Sequence, residues 1–186
     1  MGCLIDMMKT KRIAIDGIMA ALYVILGYIS IDMGMLKISF EEFPVILSGL
    51  VLGPVDGVIV GGIGTFLFQI LRYGFSATTL MWMLPYIVCG LVCGLYASKY
   101  GFYNSGRQLW FIITVAGFVT FALNTLAIYV DSKVYGYYSD AYVFGALGIR
   151  LIIMAVKTVV FGFLAMPVLR AMARITGRKK SNNDLR

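Results

Sequence analysis

Six runs of apolar residues, separated by short polar breaks, take up most of the chain. They cover residues 13–31, 43–52, 58–71, 79–97, 108–130 and 143–169. A bilayer core about 30 Å thick needs about 20 apolar residues in an α-helix, and the longer runs meet that requirement. The run at 43–52 is too short for a full crossing unless it begins earlier, near Leu36, or tilts across a thin region. Gly53-Pro54-Val55-Asp56-Gly57 then predicts a tight turn, because proline fixes φ and glycine relieves the bend. The predicted fold is all-α: an integral membrane bundle of six transmembrane helices in one domain over residues 1–186, with basic tails at 1–12 and 170–186.

The polar breaks carry the topology. Residues 32–42 are acidic, with Asp32, Glu41, Glu42 and Lys37 as the one base. Residues 131–142 are rich in tyrosine and hold Asp131, Lys133 and Asp140. Eleven of the sixteen Lys and Arg residues fall in the first twelve residues, at Lys99 and Arg107, or from Arg170 onward. Basic loops stay in the cytoplasm, so both termini are expected there, and an even number of spans satisfies every loop.

Composition agrees with lipid as the solvent. Hydrophobic residues make up 60% of the 186 positions and charged ones 13%, where a soluble domain carries about a quarter. The net charge of +7 sits mostly on the flanks of the spans, which excludes nucleic acid as the reason for it. With no histidine and three cysteines, Cys3, Cys89 and Cys93, no metal or cofactor site is expected. The run from Ile13 lacks a small-residue cleavage site and is long enough to span, so it does not read as a cleavable signal. Gly101 to Gly106 has the glycine spacing of a phosphate-binding loop. Arg107 and Gln108 follow in place of Lys and Ser/Thr, and no strand precedes it, so the match is chance. No acid–base set suited to catalysis is evident, and an enzyme is not expected.

Polar residues within or beside apolar runs are the candidate binding groups. Arg150 and Lys157 are two helical turns apart on one face, roughly 10 Å along the axis. A base at the bilayer centre costs at least about 2.5–3.5 kcal/mol, so each either faces the bundle interior or snorkels to an interface. Arg72 closes the third run. Facing inward, the three bases would line a positive pocket for a carboxylate or phosphate. Asn124, Thr125 and Gln69 add hydrogen-bonding groups, as ligand contacts or interhelical glue. Trp82, Tyr86 and Tyr142 could stack on a flat ring or belong to the interfacial aromatic belt. Gly57, Gly61 and Gly64, the pair Gly90 and Gly94, and the pair Gly17 and Ala21 let helices approach closely. Gly17 and Ala21 serve internal packing or dock a partner helix.

The order of features resembles a known family. Lys37-Ile-Ser-Phe40, Phe43-Pro44 and Leu52-Gly53-Pro54-Val55-Asp56-Gly57 are similar to the S components, the substrate-binding subunits of energy-coupling factor (ECF) vitamin transporters. Asn124-Thr125, Tyr135-Gly136 and Arg150-Leu151-Ile152 look most like the folate group. The sequence departs from that group in a longer, more charged segment at 129–142, and in Thr65 and Gln69 where an Asp is common. The resemblance implies a subunit of a prokaryotic plasma membrane that captures a vitamin, folate as the best match, from outside. Its partners would be a transmembrane coupling protein and two ATPase subunits. Residues 34–37, with Lys37 among the binding residues, would cap the site, and Gly17 and Ala21 would dock the coupling protein. Other vitamins or precursors on the same scaffold, such as riboflavin, pantothenate or a queuosine precursor, stay open, as does a stand-alone carrier or channel.

Overall fold

The computed structural model describes residues 2–32, 37–100 and 106–176. Its order is α1 (Gly2–Tyr28), β1 (Ile31–Asp32), β2 (Lys37–Ile38), α2 (Glu42–Leu52), α3 (Pro54–Tyr73), α4 (Thr79–Tyr100), α5 (Gly106–Val134), α6 (Asp140–Val143) and α7 (Leu147–Thr176). Residues 34–36 of the expected cap, most of the chance glycine loop (101–105) and the tail from 177 lie outside the described residues. Six of the helices, α1 to α5 and α7, make the bundle. The segments Pro54–Tyr73, Thr79–Tyr100, Gly106–Val134 and Asp140–Leu169 are long and apolar enough to cross a membrane.

Each helix buries the face its pattern dictates. In α1, Asp16, Ala20, Tyr23 and Gly27 recur at helical spacing and point inward, while Ile13, Gly17, Ile18, Ala21 and Ile25 are exposed. Helix α2 has nearly every residue buried, as an apolar helix without a polar stripe should. It is the central post, contacting α1, α3, α4 and α7. Eleven residues rise only about 16 Å, so α2 stops short of a crossing. The expectation that it starts near Leu36 is corrected. Lys37 and Ile38 pair as a strand with Asp32 and Ile31, and the helix begins at Glu42.

Three other boundaries differ from the sequence reading. Helix α3 starts at Pro54 rather than 58, because proline is tolerated at the first helical position and the turn is confined to Gly53 (φ 120°). Helix α5 runs on to Val134, so Asp131 and Lys133 are helical and not in a loop. The sixth run is broken into α6 and α7; the Ser139 hydroxyl accepts from the Tyr142 N–H and caps α6.

Helices α3 and α4 meet along their glycines. A Cβ on Gly90 would lie 2.3 Å from the Gly57 carbonyl oxygen, and one on Gly94 would lie 2.2 Å from Pro54 Cα. Gly61 similarly abuts the Tyr86 carbonyl. Backbone-to-backbone approach of this kind replaces hydrophobic driving force inside lipid. Helix α7 packs mainly on α5, and reaches α2 through Phe161, whose ring lies 5.1 Å from Phe43 and 6.0 Å from Phe40.

Candidate functional site

The start of α2, the end of α3, the start of α4, the end of α5 and the start of α7 gather at one end of the bundle. They enclose a cavity of about 680 Å³, within the range of small-molecule sites. Its lining includes the aromatic rings of Tyr23, Phe68, Trp82, Tyr86, Phe121 and Tyr142. Thr65, Gln69, Thr120, Asn124 and Thr125 supply hydrogen-bonding groups.

Its floor is a buried polar layer. The Tyr86 hydroxyl donates to Glu41 Oε1 at 2.5 Å, and the rings of Tyr23 and Tyr86 meet edge to face with centroids 5.2 Å apart. The Thr65 hydroxyl donates to the Gly61 carbonyl at 2.6 Å and lies 3.0 Å from the Tyr23 hydroxyl. Glu42 forms an ion pair with Lys157 at 3.2 Å, with both side chains largely buried. A buried pair survives only when the partners satisfy each other, and Glu42 also gains from the first turn of α2.

At the rim, Asp131 is an acceptor for three donors from separate parts of the chain. The Thr78 hydroxyl and the Trp82 indole N–H (3.3 Å) donate to Oδ1, and the Tyr137 hydroxyl donates to Oδ2. Tyr137 in turn packs edge to face on Tyr142, centroids 5.4 Å apart. Partial desolvation of its hydroxyl first, and then the bond to Asp131, push the phenol of this exposed tyrosine above its ordinary range.

The structure brings Arg150, Lys157, Asn124, Thr125, Gln69, Trp82, Tyr86 and Tyr142 around this cavity. The wall is not simply positive, which corrects the sequence reading. Arg150 and Lys157 share it with Glu41, Glu42 and Asp131, and Lys157 is already neutralised by Glu42. Arg72 is absent from the lining. Its guanidinium lies over the Phe68 and Tyr73 rings, 5.8 and 5.6 Å from their centroids, and Nη1 is 3.4 Å from the Gly27 carbonyl, so it ties the end of α3 to α1. Lys37 is fixed by its backbone in β2, and its side chain lies outside the described residues.

Sequence reasoning missed Glu41, Glu42, Tyr23 and Asp131 as cavity residues. Two carboxylates directly before an apolar run are a helix-start signal, and would have brought Glu41 and Glu42 to the top of α2. Among the described residues, no group of three or more Cys, Asp or Glu could hold a metal ion.

Known proteins share this architecture. Two proteins from strains of Streptococcus thermophilus, each called UPF0397 protein, are 30% identical over 112 residues, covering 57% of this chain. The match spans 61% of the length of those curated relatives. Two solved structures have the same fold. One is FolT bound with folic acid, with a TM-score of 0.68 and 21% identity over 86% of this chain and 97% of the other. The second is the S component of a bacterial ECF transporter, with a TM-score of 0.64 and 23% identity over 88% and 98%. The family described as ECF transporter, substrate-specific component, matches residues 11–171, nearly the whole bundle and every wall of the cavity. The chain therefore belongs to the substrate-specific components of ECF transporters, multi-pass membrane proteins that are transporter subunits and not enzymes.

Proposed function

We propose that this chain is the S component that captures a vitamin in the cavity at the outer end of the bundle, with folate as the best candidate. The observation that carries the reading is the cavity itself: about 680 Å³, with aromatic rings, Arg150 and carboxylates within one lining. A pterin is flat and bears N–H donors as well as acceptors, which suits aromatic rings beside Glu41. A glutamate carboxylate suits Arg150. Folic acid bound to a protein of the same fold supports the choice.

Both termini are cytoplasmic in this reading, so the cavity opens outward. The exposed strip of Ile13, Gly17 and Ala21 on α1 docks a transmembrane coupling protein, with two ATPase subunits beneath it. Nothing lies within 4 Å of a Cβ built on Gly17, so this strip is open to a partner helix. Titration of the detergent-purified protein with folic acid, read by tryptophan fluorescence, tests the ligand. A saturable one-to-one response is expected; no response at ligand concentrations well above those of a high-affinity site rejects folate.

One observation favours a second reading. The Glu42–Lys157 pair removes one cation from the site, and two more carboxylates line it. A less anionic vitamin on the same scaffold, such as riboflavin, fits that balance. Competition between folic acid, riboflavin and pantothenate in the same titration separates the two.

A further inference from the structure

Asp131 is placed where no ligand contact is needed to explain it. It stands in the last helical turn of α5 and gathers donors from the lead-in to α4 (Thr78), from α4 itself (Trp82) and from the segment after α5 (Tyr137). Thr78 is buried, while Tyr137 is exposed, so the carboxylate bridges the packed bundle and its outer surface. Trp82 and Tyr142 both line the cavity, and each is tied to Asp131, Trp82 directly and Tyr142 through the ring of Tyr137.

We propose that Asp131 is a positioning residue: it fixes the indole of Trp82 and the Tyr137–Tyr142 pair as the aromatic rim that receives the flat part of the substrate. The claim rests on the cavity being the substrate site. An indole held by its N–H keeps its ring face for stacking and loses little freedom when a ligand arrives. Charge-assisted bonds to a carboxylate are about twice as strong as neutral ones, which suits one residue holding three elements.

The test uses the full-length protein in detergent. In a Trp110→Phe background, Trp82 is the one tryptophan left. Its anisotropy and acrylamide quenching are measured without ligand, and folic acid is then titrated. Asp131→Ala should lower the anisotropy and raise the quenching before any ligand is added, and weaken folic acid by about tenfold. Asp131→Asn should restore the Trp82 signal, because its amide oxygen still accepts from Thr78 and Trp82 and its N–H group can donate to Tyr137. An unchanged Trp82 signal in Asp131→Ala overturns the proposal. If that variant does not fold, Thr78→Val and Tyr137→Phe each remove one donor. A shifted Trp82 signal in either supports the proposal, and no shift in both overturns it. Failure of the parent protein to respond to folic acid rejects the folate reading alone, since the ligand-free comparison still decides the role of Asp131.

Discussion

Glu42 and Lys157 hold each other 3.2 Å apart in a wall that water barely reaches. Removing one partner strands the other charge, so Lys157→Met alone should cost about 3–5 kcal/mol, while the Glu42→Gln/Lys157→Met double variant should recover most of it. Cys89 and Cys93 are buried, and a thiol-reactive dye followed during heating reports the loss of fold. Equal melting temperatures for single and double variants would show that the pair is not coupled. Arg150 belongs to the same wall but has a different task in this account. Arg150→Ala should weaken folic acid by tenfold or more, about 1.5–3 kcal/mol, in a fluorescence titration. The residue scale is also where the sequence was least legible. Lys157 was visible as a charge in an apolar run, but its partner is far away in the chain at the top of α2, and periodicity carries no information about such pairs. Arg72 misled for the opposite reason: a base at a helix end faces lipid, rings or cavity according to neighbours that only the folded chain supplies.

Helices α3 and α4 depend on the absence of side chains at their contact. Gly94→Val should prevent a monodisperse protein from being recovered by size-exclusion chromatography, because the new Cβ would meet Pro54 backbone that cannot move aside. Gly17→Val is the contrasting variant. It has open space around it, so folding and folic acid binding should stay intact while uptake by cells carrying the coupling module falls. Normal uptake would reject α1 as the docking helix. Both small-residue pairs, Gly90 with Gly94 and Gly17 with Ala21, were readable from spacing, since small residues four apart share a helix face. Whether a strip is used inside or outside was not readable; that depends on which helix lies opposite. The element ends were blurred where proline and acidic residues begin helices. Pro54 and Glu42 both lie inside their helices, and the apolar runs start a little later.

For the whole molecule, the number and order of the bundle helices followed from hydropathy because lipid forces backbone bonds to close within helices. The short central α2 is the exception: with nearly every residue buried, it is held by protein and not by the bilayer. In the proposed reading the bundle binds its ligand and the coupling partners supply the energy. Liposomes containing this chain alone should bind folic acid without accumulating it, and ATP-driven accumulation should need the coupling protein and ATPases. Uphill transport by the chain alone would favour an independent carrier. The most direct measurement is mass spectrometry of small molecules released from the purified protein, set against an Asn124→Trp variant whose indole fills the cavity. The account predicts a flat, acid-bearing vitamin of the folate class released from the parent protein and lost from the variant. The same small molecules in equal amounts from both proteins would contradict it.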